Sequence, residues 1–308
     1  MKIVITEFMD APAVDGLRSR FDTLYDPRLA DRRPGLLEWL RDADAVIVRN
    51  RTRVDRALLE AAPALRVVGR LGVGLDNIDV AACSARGVEV VPATGANSQS
   101  VAEYVIAVAM LLLRGAYAST PEVVAGAWPR AALSEGREIS GKMLGIVGFG
   151  AIGRRVARYA LALGMRVLAH DALLSAGAPA FHEAGIAPAA LDELLAASDV
   201  VSLHVPLDAS TRKLIDARRL RSMKPGAVLI NTARGGVVDE AALAQALRDG
   251  HLAGAALDVF EREPLAAGSP LAGTPNLILT PHIAGITREA NERVSRMIAE
   301  RVAAVLER

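Results

Sequence analysis

Three residue types late in the chain could together serve a hydride transfer between an alcohol and a carbonyl. Such a reaction needs a proton donor or acceptor at the reacting oxygen, a cation for an acidic substrate, and a group that sets the proton carrier's state. The histidines are His170, His182, His204, His251 and His282. His282 follows the apolar run NLILT (276–280), at the carboxyl end of an expected strand, where open α/β sheets bind their ligands. Arg234 lies in NTARGG (231–236), directly after the run AVLIN, among small neighbours that let a ligand approach. A guanidinium there can hold a carboxylate with two hydrogen bonds. Glu261 and Glu263 both follow the run that ends at Val259. Either carboxylate could orient the His282 ring and pair with its imidazolium form, and spacing alone does not choose between them. His204, at the end of a further apolar run, is expected to line a cofactor groove.

A second constellation is Gly148-Phe149-Gly150-Ala151-Ile152-Gly153. It sits between the strand-like MLGIV and a helix-like stretch. In that context the glycines allow a tight turn, close approach of a pyrophosphate and close helix–strand packing. The free N–H groups and the positive dipole end of the helix then face the anion. The next expected strand ends at Asp171, 18 residues beyond Gly153. An acid there accepts from the adenosine ribose hydroxyls and repels a 2′-phosphate. The following Ala172, Leu173 and Leu174 bring no cation, so NAD is expected over NADP.

Composition narrows the frame that must hold these groups. A length of 308 residues predicts two domains, and 52% hydrophobic residues suffice for packed cores. Thirty-six basic against 35 acidic residues leave a net charge of +1, against a nucleic-acid partner. The single Cys83 excludes an intramolecular disulfide framework and a multi-cysteine metal site; no metal is expected. The longest strongly apolar stretch, 105–113, is too short to span a bilayer, and the first ten residues lack a signal-peptide pattern. A cytoplasmic, non-membrane protein is expected.

Strand-like and helix-like runs alternate along the chain. Strands are expected at 2–6, 45–49, 65–69 and 88–91, with helices at 34–42 and 54–61. A long apolar helix is expected at 98–118, capped by Ser98 or Ser100 with Glu103 reaching back, followed by an irregular arm at 119–140. A second series follows, with strands at 142–147, 166–170, 200–205, 227–231, 253–259 and 277–280. Its helices fall at 151–163, 191–197 and 239–249. The closing amphipathic helix, about 287–307, is expected to return to the first domain. Alternation at this pitch predicts α/β architecture with two doubly wound parallel sheets.

The blocks LGVGLDNID (71–79), NSQSVAEYVIAVAM (97–110), GIVGFGAIGRRVA (145–157), HVPL (204–207), NTARGGVVDE (231–240), ALDVFEREPL (256–265) and TPHIAG (280–285) occur in order. Together they make the chain resemble the NAD-dependent D-2-hydroxyacid dehydrogenases over nearly its whole length, with several blocks similar to phosphoglycerate dehydrogenases. The resemblance implies a Rossmann NAD domain (98–285) inserted in a discontinuous flavodoxin-like substrate domain (1–97 plus 286–308). It also implies a homodimer built through the helix at 98–118 and the arm. By position it makes His282 the general acid/base, Glu263 rather than Glu261 its partner, and Arg234 the holder of the substrate carboxylate and carbonyl. It places the backbone amides of Val73 and Gly74 in a carboxylate cradle. Gly148, Gly150, Ala151, Ile152, Gly153, Asp171, His204, Val205, Pro206, Thr232, Ala233 and Asp258 match cofactor positions, and Asn97 a position near the nicotinamide.

The implied reaction interconverts a 2-keto acid and a D-2-hydroxy acid. In the family the loop after the second expected strand lines the substrate pocket; here it reads Arg49-Asn50-Arg51-Thr52-Arg53. If extended, alternation points its arginines to one side, and Arg51 would meet a second anionic group, as on 3-phosphoglycerate or 3-sulfolactate. The arm adds Arg130. Glyoxylate or hydroxypyruvate reduction is the alternative, and a non-catalytic NAD-sensing scaffold like the related corepressors is a reading of another class. Pro281 before His282 speaks against formate dehydrogenase, which carries glutamine there. Without segments after the closing helix, the chain is expected to lack the regulatory domains of longer members.

Overall fold

Short apolar runs with little polar alternation belong in parallel strands covered on both faces. The computed structural model, which describes residues 1–115 and 119–308, uses them in that way. It divides into two units, Met1–Asn97 with Ile286–Arg308, and Ser98–Gly285.

The first unit carries β1 (Lys2–Ile5), β2 (Asp22–Tyr25), β3 (Ala45–Val48), β4 (Val67–Arg70) and β5 (Glu89–Pro92). All pair in parallel in the order β2-β1-β3-β4-β5, the flavodoxin-like arrangement. One face packs Val4, Val46 and Val68 against Leu36, Leu58 and Leu59. The other packs Ile3, Ile47 and Val67 against Val294, Ile298 and Val302 of the closing helix Arg288–Leu306. That helix starts at Thr287, whose hydroxyl accepts from Ala290 N at 3.1 Å. It lies so close to β4 that a Cβ on Gly69 would fall 2.7 Å from Val302 Cγ2.

The second unit carries β6 (Met143–Val147), β7 (Arg166–His170), β8 (Ala187–Pro188), β9 (Val200–Leu203), β10 (Ala227–Asn231), β11 (Leu252–Leu257) and β12 (Leu277–Leu279). The order β12-β11-β10-β9-β6-β7-β8 is a Rossmann sheet with one further strand beyond its sixth. The helix Ser98–Arg114 covers one face, placing Val101, Val105 and Val108 against Ile146, Val228 and Ile230. Its expected cap is not formed. Ser98 and Ser100 lie inside the first turn, both buried, and the Glu103 side chain pairs with Gln99 one turn back. The helix begins at residue 98, as expected, so neither serine stands before its first turn where a cap would sit. The expected end of this helix, 116–118, lies outside the described residues. After it come the short helix Thr120–Val124 and irregular chain. Among the described residues no helix is long and apolar enough to cross a membrane.

Candidate active site

Three neighbouring parallel strands deliver the three chemical side chains to one edge. Asn231 of β10 is in register with Leu257 of β11, which is in register with Leu279 of β12. Arg234, Glu263 and His282 follow these strands in that order. The loops then interlock. Asn231 shapes the first: its Oδ1 accepts from Ala233 N and its Nδ2 donates to Arg234 O, both at 3.0 Å. Arg234 Nη1 donates to Ala233 O at 2.6 Å. Gly235 passes so near the second loop that a Cβ would lie 1.8 Å from Phe260 O. In the second loop, Glu263 Oε1 accepts from Phe260 N at 3.1 Å. Its Oε2 meets His282 Nδ1 at 2.8 Å. Glu263 thus contacts the histidine; Glu261 instead donates its N–H to Glu240.

His282 sits at φ 58°, in the left-handed region, which costs a non-glycine residue free energy and needs outside support. The support is Asp258, 1% exposed. Its Oδ1 accepts from Thr280 Oγ1 (2.5 Å) and Ile283 N (2.8 Å), and its Oδ2 from Ala284 N (2.8 Å). Tyr104 extends the cluster, with its hydroxyl 2.7 Å from Thr280 Oγ1. The Asp258 carboxylate, expected to contact a cofactor, is therefore turned inward as a clamp on the histidine loop. The buried Asn231 and the half-buried Tyr104 were not singled out from sequence. The position of Asn231 at a strand end before a glycine-rich turn was the available signal; for Tyr104 there was none.

The glycine loop fits a dinucleotide. Gly148 (φ 96°) packs on the end of β9, where a Cβ would lie 2.6 Å from His204 O, and a Cβ on Gly153 would lie 2.3 Å from Gly148 O. Gly150 differs: a Cβ there would meet nothing within 4 Å, so its bare backbone borders open space at the start of the helix Ala151–Ala162. Ala151, Ile152 and Gly153 present that helix's first N–H groups, suited to a pyrophosphate. Asp171 accepts from Phe149 N at 2.8 Å and from Leu173 N at 2.9 Å, so the ribose acid also fixes the loop. His204 Nε2 lies 3.0 Å from Ser202 Oγ, and burial pushes its pKa down to about 3, so the ring is neutral. Val205 and Pro206 follow it beside the glycine loop. Thr232 Oγ1 and His204 Nδ1 are buried with no partner among the described residues, as a ligand-contacting edge requires. Asn97 Oδ1, in the first unit, is likewise buried and unpartnered.

In the first unit, the N–H groups of Val73 and Gly74 have no acceptor among the described residues. The arginine loop is not extended. The N–H groups of Arg49, Asn50, Arg51 and Thr52 converge on the Glu7 carboxylate at 2.8, 3.2, 3.0 and 3.0 Å. The alternation that would send three arginines to one side is lost in this turn. Arg49 reaches Asn291 Oδ1 at 2.8 Å and lies over the Phe8 ring, Arg51 pairs with Asp31, and Arg53 is exposed. A cleft of about 480 Å³ has Glu7, Phe8, Arg49, Arg51, Ile286 and Asn291 in its walls.

Residues 106–284 match the family model described as D-isomer specific 2-hydroxyacid dehydrogenase, NAD binding domain. The chain is 55% identical to a (S)-sulfolactate dehydrogenase of Chromohalobacter salexigens, over 97% of its own length and 96% of that protein. It is 39% identical to a D-3-phosphoglycerate dehydrogenase of Archaeoglobus fulgidus, over 97% of its own length but only 56% of that relative. Among solved structures, a glyoxylate reductase from Paecilomyes thermophila superposes with a TM-score of 0.88 at 31% identity, over 100% of this chain and 96% of that one. The chain belongs to the D-isomer specific 2-hydroxyacid dehydrogenase family and is an NAD-dependent oxidoreductase that interconverts 2-keto and 2-hydroxy acids.

Proposed function

We propose that the substrate is a D-2-hydroxy acid bearing a second anionic group, with 3-sulfolactate first and 3-phosphoglycerate second. The observation that carries this reading is the cleft walled by Arg49 and Arg51. Arg49 is the stronger recognition group, because its hydrogen-bond partner there, Asn291, is neutral, whereas Arg51 is paired with Asp31. The 55% identity to a (S)-sulfolactate dehydrogenase points the same way. Sulfur outranks the carboxylate in the stereochemical descriptor, so the (S) label on sulfolactate denotes the same hand as a D-2-hydroxy acid.

In this reading Arg234 holds the substrate carboxylate and polarises the keto oxygen, and the N–H groups of Val73 and Gly74 offer the first unit's own carboxylate cradle. Glu263 fixes the ring through Nδ1, leaving Nε2 of His282 to give a proton to the keto oxygen in reduction or take it from the hydroxyl in oxidation. The nicotinamide, when bound, supplies or accepts the hydride. The glycine loop and Asp171 hold the dinucleotide. A homodimer is supported by the irregular arm, where Val124 is 82% and Trp128 77% exposed. NAD dependence and the buried free thiol of Cys83 support a cytoplasmic setting.

The Arg51–Asp31 pair favours a second reading, a monoanionic substrate such as glyoxylate or hydroxypyruvate, since it already satisfies one guanidinium. Following NADH absorbance with glyoxylate, hydroxypyruvate, 3-phosphohydroxypyruvate and sulfopyruvate separates the two. The expected result is the highest kcat/KM for sulfopyruvate, lost in Arg49→Ala and reduced in Arg51→Ala. Equal specificity for mono- and dianions overturns the proposal, and no turnover with any acid points to a non-catalytic NAD-binding scaffold.

A further inference from the structure

We infer that Glu7 is a positioning residue for substrate selection: its carboxylate fills the anion-binding concavity formed by the arginine loop and so holds Arg49 and Arg51 at their cleft. The inference rests on the proposal that these arginines meet the substrate's second anionic group. Consecutive N–H groups pointing inward form a nest that binds anions. In this chain the N–H groups of residues 49–52 form one, and the anion in it is the protein's own. Glu7 is 3% exposed, so its carboxylate competes with water for none of these donors. Burial works against its charge, but the N–H groups of Thr52, Arg49 and Arg51 outweigh this and keep its pKa below the ordinary value.

The opposite side of the same loop is also held. Asn77 Nδ2 donates to Thr52 O at 2.6 Å and to Arg49 O at 3.4 Å. Asn77 O in turn accepts from Val54 N at 2.9 Å. Asn77 belongs to the stretch that carries Val73 and Gly74, so the arginine loop and the amide cradle are tied together within this unit. With amides fixed by Glu7 and carbonyls by Asn77, the loop backbone has little freedom, and the guanidinium groups leave it in fixed directions. An empty nest would lose that definition. It would also offer bare N–H groups to any anion, so selection by the side chains would weaken.

The test compares wild type with Glu7→Ala, Glu7→Gln, Arg49→Ala and Arg51→Ala. Each is assayed with sulfopyruvate and with glyoxylate, and exchange of the 49–52 amides is followed by hydrogen–deuterium exchange. For Glu7→Ala the expected outcome is a KM for sulfopyruvate raised about tenfold or more, consistent with losing charge-assisted hydrogen bonds. The kcat and the KM for glyoxylate stay within about threefold, and the loop amides exchange faster. Formate or acetate at tens of millimolar, which can occupy the vacated nest, restores the sulfopyruvate KM of Glu7→Ala and leaves wild type unchanged. Glu7→Gln keeps the shape without the charge and serves if the alanine variant does not fold. Equal losses on both acids, or an unchanged sulfopyruvate KM in folded protein, overturn the inference. If the Glu7 variants speed amide exchange while neither arginine variant distinguishes the two acids, the substrate proposal fails and the selection role of Glu7 falls with it. If the arginine variants discriminate and the Glu7 variants do not, only the role of Glu7 is lost.

Discussion

The two loop systems to which the proposed reading assigns the chemistry are held in opposite ways. In the second unit, the side chains that act are themselves fixed. Glu263 is tied to both Phe260 N and His282, and Arg234 leaves a turn shaped by a buried asparagine. In the first unit the backbone is fixed, by Glu7 and Asn77, and the side chains proposed to act are long arginines. Proton transfer tolerates little misplacement, so its groups come from neighbouring strand ends in a set register. Recognition of a distal anionic group needs charge at the correct place more than a fixed atom, and an arginine on a rigid loop supplies it. On the proposed reading, the same sheet type supports a reaction centre in one unit and a selectable surface in the other.

The contrast can be attacked at several points. His282→Ala strikes the fixed side, and kcat is expected to fall by about 10²–10⁴ while NADH binding, read by fluorescence, is retained. Unchanged turnover would remove His282 from the mechanism. Asp258→Ala strips the clamp from the left-handed histidine loop, leaving the donors of Thr280, Ile283 and the buried Ala284 without their acceptor. Unfolding by urea should show a loss of about 1–3 kcal/mol or more, with kcat reduced at least about tenfold. A normal kcat in that variant would mean that the loop holds itself. Gly235→Ala forces the Arg234 loop off Phe260, costing about 1–3 kcal/mol and lowering kcat through both loops, as denaturation and NADH assays would record.

The smallest effect concerns the backbone-held side. Glu7 keeps its charge below the ordinary carboxyl pKa of 4.5, so its stabilisation is fully present above that pH and is lost as pH falls through the lower folded-state value. Glu7→Gln is therefore expected to be less stable than wild type by about 1–3 kcal/mol at pH 7. The gap should close progressively below pH 4.5, measured by urea unfolding across pH. A gap independent of pH would show that the charge is not what holds the loop.

Much of this was legible in the residues. The strands of the second unit follow apolar runs bounded by glycine, proline or polar turns, and the three residues proposed to react come shortly after such runs. Several elements were silent. β2, the helices Ala11–Arg18, Val80–Ala85, Pro179–Ala184 and Ala217–Ser222, and the two-residue β8 are short, exposed on one side and interrupted by Gly16 or begun near Pro179. Their stability comes from packing, and their local pattern is weak. The arginine loop failed for a different reason. Alternation describes an extended chain, but this segment is bent by a carboxylate 42 residues upstream, and nothing local in Arg49-Asn50-Arg51 announces that partner. The caps foreseen at Ser98 and Ser100 differ in another way: the expected start at 98 holds, but both serines lie within the first turn and Glu103 pairs with Gln99.

The closing helix has a consequence for biosynthesis. Its 19 residues bury Val294, Ile298 and Val302 on a sheet whose strands all lie before residue 93. A ribosome therefore exposes that sheet with one face covered only in part, by Val14 and Leu17 of the helix Ala11–Arg18, until residues 288–306 have emerged, while every strand of the inserted unit is already available. The order of completion is set to run from the inside of the chain outward, so products truncated before residue 288 would present the half-covered Ile3, Ile47 and Val67 face to chaperones.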